Sequence, residues 1–206
     1  MYCGIPQHDP DKLVALILAG GQSSRMGSDK GLLNLHGKTW VQHVADLCAE
    51  LKLEVYYSIN ALQVEQYAAY LPNDRISIDS LDLKGPLAGL LSFYVQHPDQ
   101  DVLLLPCDMI GMKKTVLQEL MDSYETIHIG HDITVFQHSD GSVEPFPGIY
   151  SSEALKKIYW LFVSGNLMKH SLKYVIEISN SYLLPVSPSL ADSFLNANSP
   201  EDINRF

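Results

Sequence analysis

Six consecutive apolar residues, Leu13–Leu18, run straight into Ala19-Gly20-Gly21. A strand with one face in water alternates apolar and polar residues, whereas a run with no polar member is buried on both faces. Such a strand needs helices over it, so the run predicts the centre of a mainly parallel sheet. The next segments fit that frame. Thr39 caps a predicted helix over Trp40–Leu51, in which Val41, Val44, Leu47 and Cys48 recur at helical spacing. Leu53–Ile59 reads as a second strand, Ala61–Tyr70 as a helix closed by Pro72-Asn73-Asp74, and Arg75–Ile78 as a short third strand. Gly85-Pro86 opens another helix through Gln96, and Asp101–Asp108 (DVLLLPCD) is a buried strand. The order strand, helix, strand, helix, strand, helix, strand predicts an α/β sandwich around that sheet. Further on, ITVFQH and PFPGIY read as strands around the turn Ser139-Asp140-Gly141. Two helices, a strand near Lys173–Ile178 and a closing helix at Pro200–Phe206 complete the expectation.

The chain has 206 residues, enough for one domain with a sizeable core. Residues 1–12, MYCGIPQHDPDK, read as a short tail and 13–206 as the single domain. The tail lacks the apolar core of a signal peptide, and no apolar run approaches the ~18–20 residues of a membrane helix. Cys3, Cys48 and Cys107 show no metal-ligand spacing, which fits a reduced, cytoplasmic setting. A net charge of −10 argues against a nucleic-acid partner, which needs a basic face. A small anionic ligand needs only a local cluster of donors, and the stretch LILAGGQSSRMGSDKG carries one.

That stretch is neither familiar phosphate loop. A dinucleotide fingerprint needs GxGxxG, and here glycines stand at 20, 21 and 27. A P-loop needs GxxxxGK[ST]; Gly31 and Gly37-Lys38-Thr39 are one residue too far apart, and no strand leads into them. Gly37-Lys38-Thr39 reads instead as a tight turn and a helix cap. The stretch still has anion-binding chemistry. Gly20 and Gly21 let backbone N–H groups turn inward on a ligand. Arg25 offers a two-pronged fork for phosphate oxygens and Lys30 a mobile point charge. The bland alternative is a flexible loop with solvated charges. Asp29 pairs with Arg25 or Lys30 in the simplest reading, and so holds the loop's shape.

In open α/β sheets ligands bind at the carboxyl ends of the strands. Asp108 and Asp79 end predicted strands there. Each is either a turn cap or a ligand group, and Asp108 suits Mg²⁺, which takes one or two carboxylates plus substrate phosphates. His128-Ile129-Gly130-His131 spells a motif known from class I aminoacyl-tRNA synthetases. Here it sits mid-chain and leads into a strand, so it is read as a polar loop. The histidines show no HExxH-type spacing, and no Ser-His-Asp arrangement follows from the spacing.

Leu18-Ala19-Gly20-Gly21, Ser23, Arg25-Met26-Gly27 and Asp29-Lys30 together resemble the signature of nucleotidyltransferases of the molybdenum cofactor guanylyltransferase family. Gly37-Lys38, Asp79-Ser80, Gly85-Pro86-Leu87-Ala88-Gly89, Pro106-Cys107-Asp108 and the ending Asn196-Ala197-Asn198-Ser199-Pro200-Glu201-Asp202 keep the family's order. The resemblance spans the chain from about Leu13 to its end. It implies a three-layer α/β sandwich with a mainly parallel, Rossmann-like sheet of the nucleotide-diphospho-sugar transferase type. It also implies transfer of GMP from GTP to molybdopterin with Mg²⁺ and release of pyrophosphate. Cofactor-insertion or molybdoenzyme chaperone proteins would then be partners.

On the matching positions, Leu18, Ala19 and Gly20 would contact the nucleotide through their backbone. Gly21, Arg25 and Lys30 would hold the triphosphate, and Asp79 would touch the nucleotide. Asp108 would bind both nucleotide and metal, with Arg25, Lys30 and Asp108 as the catalytic set. Gly85, Asn196 and Asn198 would lie on the molybdopterin side. Two positions depart from the pattern: Ser58, counted with the nucleotide contacts, stands where the family often has Asn, and Met109-Ile110-Gly111-Met112 replaces a Pro-containing loop. Leu-Ala-Gly-Gly favours the guanylyl branch over cytidylyl relatives, which usually carry Leu-Ala-Ala-Gly. A transferase using CTP or a sugar-phosphate acceptor, and a catalytically silent nucleotide-binding domain, stand as alternatives.

Overall fold

The computed structural model describes residues 12–20, 29–127 and 130–194. Nine strands occur there in chain order: β1 (Leu13–Leu18), β2 (Asn34–Leu35), β3 (Lys38–Thr39), β4 (Glu54–Ile59), β5 (Ile76–Ile78), β6 (Asp101–Pro106), β7 (Ile133–Gln137), β8 (Val143–Tyr150) and β9 (Ser181–Pro185). The helices are α1 (Trp40–Glu50), α2 (Val64–Tyr67), α3 (Pro86–Gln96), α4 (Lys114–Ile127), α5 (Ser152–Val163) and α6 (Leu172–Ile178).

Seven strands form one sheet in the order β5-β4-β1-β6-β8-β7-β9. β5, β4, β1 and β6 are mutually parallel, β8 runs against both β6 and β7, and β7 is parallel to β9. β1 is central, as its unbroken apolar sequence requires. Ala15 and Ile17 face one core cluster, shared with α1 and α4, while Val14 and Leu16 face the other, shared with α3, α5 and α6. Both faces are therefore covered by helices, giving three layers. β2 and β3 form a separate hairpin whose turn has His36 at φ 51° and Gly37 at φ 86°. Two successive left-handed residues are what a two-residue hairpin turn demands. Thr39 then caps α1 in a reciprocal box with Gln42.

Two expectations change. The helix over Ala61–Tyr70 is a 3₁₀ turn, Ala61–Gln63, followed by the single turn of α2. The buried residues there are Gln63, Tyr67 and Leu71, while Leu62 is 91% exposed. The segment bends to push one narrow stripe of these residues inward instead of presenting a broad apolar face. The strand near Lys173–Ile178 is the helix α6. Ser171 caps it by accepting a hydrogen bond from the Tyr174 N–H (3.3 Å), and Leu172, Val175 and Ile176 are buried at helical spacing. The strand comes one turn later, as β9. The closing helix at Pro200–Phe206 lies outside the described residues.

Candidate active site at the carboxyl edge of the sheet

β1, β4, β5 and β6 point their carboxyl ends to one edge, and β1 lies between β4 and β6 where the connections change direction. Backbone bonds lace those ends together. Ala19 N–H donates to Ser58 O (2.9 Å), Asp79 N–H to Ile59 O (2.9 Å) and Cys107 N–H to Leu18 O (3.0 Å). Leu18, Ala19, Gly20, Ser58, Asp79 and Asp108 therefore converge. Gly20 is pressed against the neighbouring ends: a Cβ there would sit 3.0 Å from Asp79 Oδ2 and 3.2 Å from the Asn60 backbone nitrogen. A side chain here would press on Asp79 and on the backbone at Asn60, which must give by a few tenths of an ångström.

Asp79 is held from behind. The Ser58 hydroxyl donates to its Oδ1 at 2.7 Å, and Ser58 itself is 1% exposed. Ser58 is thus turned onto Asp79 and away from solvent. Burial raises the Asp79 carboxyl above the ordinary carboxylate range, and the bond from Ser58 pulls it back down. Ser92 on α3 accepts from the backbone N–H groups of Ser80 (2.9 Å) and Leu81 (3.3 Å), which fixes the loop that follows. Gly85 begins α3 on the same edge, with φ 74° and open space where a side chain would go, so its glycine serves the backbone turn.

Across the edge, Lys30 Nζ lies 3.2 Å from Asp108 Oδ2. The other carboxylate oxygen, Oδ1, is buried with no hydrogen-bond partner. An uncompensated carboxylate oxygen is costly, and a cation would satisfy it. Among the described residues no three His, Cys, Asp or Glu side chains gather as a metal cage. Asp108 fits the other arrangement, in which one carboxylate and substrate phosphates share a hard divalent cation. Cys107, next door, is buried. Burial and the charges of Asp108 and Asp29 push its thiol up, so it stays protonated.

The described bonds of Asp29 do not include Lys30, and the Arg25 alternative lies outside the described residues. Asp29 accepts from the Tyr67 hydroxyl (2.6 Å), from the Gln63 amide and from the Gly31 N–H (3.0 Å). Tyr67 and Gln63, which the sequence reading did not single out, bond to Asp29 beneath this edge. The one available signal was a polar residue, Gln63, spaced four before the aromatic Tyr67 in the predicted helix. Gly21, Arg25, Asn196 and Asn198, and His128-Ile129 of the rejected motif, lie outside the described residues.

The family model of the MobA-like NTP transferase domain matches residues 15–177. The molybdenum cofactor guanylyltransferase of Vibrio cholerae is 30% identical over 205 residues, covering 98% of this chain and 95% of that protein. The molybdenum cofactor biosynthesis bifunctional protein of Synechocystis sp. is 28% identical over 192 residues, 92% of this chain; the chain spans about half of that longer protein, 52%. Among solved structures, the molybdopterin-guanine dinucleotide biosynthesis protein A of Archaeoglobus fulgidus superposes with a TM-score of 0.72. It is 21% identical, and the match covers 93% of this chain and 95% of that one.

Proposed function

The chain belongs to the MobA-like NTP transferase family, and on that premise we propose that it transfers GMP from GTP to the phosphate of molybdopterin with Mg²⁺. The observation that carries this reading is the Lys30–Asp108 pair, with one Asp108 oxygen left unsatisfied, beside the tight Gly20–Asp79 approach.

An oxygen of the acceptor phosphate attacks the α-phosphorus of GTP. The bond from that phosphorus to the bridging oxygen of the β-phosphate breaks, and pyrophosphate leaves. Two anions must meet, so the protein's work is to neutralise charge and hold the groups in line. Lys30 supplies an ammonium for the triphosphate, and the backbone at Ala19 and Gly20 gives a close approach. Asp79 faces the nucleoside, buttressed by Ser58. Asp108 would hold the divalent cation, whose chemistry is to neutralise phosphate charge and polarise the attacked group. In this reading Gly21 and Arg25 would serve the triphosphate, and Gly85, Asn196 and Asn198 the molybdopterin. No side-chain nucleophile is needed, which agrees with the protonated Cys107.

Residues 13–206 act as one nucleotidyltransferase domain in the cytoplasm, handing the product to cofactor-insertion or molybdoenzyme chaperone proteins. Among the described residues no helix is long and apolar enough to cross a membrane. The test is pyrophosphate release with Mg²⁺, molybdopterin and each of GTP, CTP, ATP and UTP. Turnover with GTP alone is expected. Turnover with CTP alone moves the assignment to a cytidylyl enzyme, and nucleotide binding without turnover makes the domain a silent binder.

A further inference from the structure

Tyr67 and Gln63 meet both ends of the glycine-rich loop. Where the loop leaves β1, the Tyr67 hydroxyl and the Gln63 amide each lie 3.4 Å from the Ala19 carbonyl. Where it returns, the same two groups donate to Asp29, one to each carboxylate oxygen. Asp29 in turn accepts from Gly31 N–H, which begins a short 3₁₀ turn, Lys30–Leu32. Gly31 is packed so closely that a Cβ would stand 2.2 Å from the Tyr67 hydroxyl. Tyr67 is fully buried and Gln63 nearly so. A buried tyrosine needs a partner for its hydroxyl, and here the partner is the residue just before Lys30.

We propose that Tyr67 and Gln63 are positioning residues, a clamp that closes the base of the loop through Asp29 and sets Lys30 against Asp108. This rests on the reading of the edge as a triphosphate site, because Lys30 is the group being aimed. The alternative is that the three side chains merely fill the core under the loop. The two differ in what a lost hydroxyl does. A filler loses stability alone. A clamp lets the Lys30 turn loosen and weakens nucleotide binding through Lys30.

The experiment uses Tyr67→Phe, which keeps the ring, and Gln63→Met, which keeps the volume. Amide exchange at Gly31 is measured in the ligand-free protein, and GTP binding in the presence of Mg²⁺ is measured by calorimetry. Each variant is also built on Lys30→Ala. The clamp predicts Gly31 exchange faster by about tenfold and GTP binding weaker by about tenfold, the scale of one lost bond to a charged group. It predicts no further weakening on the Lys30→Ala background. Unchanged Gly31 exchange overturns the proposal, as does equal weakening with and without Lys30. If the wild-type protein binds none of the four nucleotides, the functional reading falls, and Gly31 exchange still decides whether the clamp exists.

Discussion

Lys30 Nζ and Asp108 Oδ2 stand 3.2 Å apart and join two segments 78 residues apart in sequence. The pair is partly screened, with the side chains 25% and 18% exposed. The ammonium neutralises a carboxylate that would otherwise sit half-buried and alone. Its positive charge also opposes a divalent cation at the other oxygen, Oδ1. Lys30→Met keeps the aliphatic stem and removes that repulsion. Mn²⁺ binding without nucleotide should tighten in this variant, by about tenfold or ~1.4 kcal/mol. Turnover should fall by about 10²–10³, because a triphosphate loses its cation. A Mn²⁺ titration of the two proteins decides it; weaker metal binding in Lys30→Met would mean that the ammonium supports the carboxylate's posture instead of opposing the metal.

The acid side of nucleotide binding should belong to Asp79. Its carboxyl is raised by burial, so acidification protonates it before ordinary carboxylates, and affinity for GTP falls as pH drops through that raised value. Ser58→Ala removes the bond that lowers it. The acid limb of GTP affinity should then move to higher pH. Stability runs the other way. Between the ordinary and the raised value the folded chain binds the proton more strongly than the unfolded chain. Asp79's contribution is therefore present at low pH and lost as pH rises through the raised value. GTP affinity measured across pH for both proteins checks the sign, and a limb displaced to lower pH in Ser58→Ala would refute it.

Gly89, inside α3, touches the same apparatus from below. A Cβ at this position would fall 2.1 Å from Ser58 Oγ and 2.9 Å from Leu18 Cδ2. Alanine favours a helix over glycine by up to about 1 kcal/mol, yet overpacking here should outweigh that. Gly89→Ala is expected to destabilise the fold by about 1–3 kcal/mol. It should also weaken GTP binding, since Ser58 must turn away from Asp79. Ser58→Gly in the same chain should recover the stability but leave the nucleotide defect. Urea unfolding of the single and double variants separates the two effects.

These contacts also mark how far sequence patterns reach. Leu13–Leu18 and Asp101–Pro106 were legible because a strand buried on both faces leaves an unbroken apolar run. Gly20, Asp79 and Asp108 were legible as strand-end residues, and the fold brings them to one edge. The Asp29–Tyr67 bond was not, because it joins residues 38 apart through a segment whose period does not announce it. Within the predicted helix Ala61–Tyr70, Leu62 is exposed while the polar Gln63 lies inside. At Lys173–Ile178 the branched residues argued for a strand, and the Ser171 cap with tertiary burial of Leu172, Val175 and Ile176 made a helix. Ser58 fell between these cases. Its place at the end of β4 was readable, but its turn onto Asp79 depends on Gly89 crowding it from another helix.

The opposite edge of the sheet carries a buried carboxylate that should matter to folding and not to binding. Asp101, 3% exposed, opens β6 at its amino end, far from the candidate site. Its oxygens accept from the Tyr124 hydroxyl (2.8 Å) and from the Ser152 N–H that starts α5 (2.8 Å), and Lys12 Nζ lies 3.3 Å away. One side chain thus ties the strand to α4, to α5 and to the residue before β1. Asp101→Asn keeps the shape but offers only one accepting oxygen, so an N–H must face a donor. An unmet buried donor costs about 1–3 kcal/mol, and the lost charge leaves Lys12 with Glu153 alone. The variant should therefore unfold about 2–4 kcal/mol more easily while binding GTP as tightly as the wild type. Denaturation and nucleotide titration on the same preparation check both halves. A stable Asp101→Asn protein with weakened GTP binding would mean that the two edges of the sheet are coupled, contrary to the separation drawn from their positions.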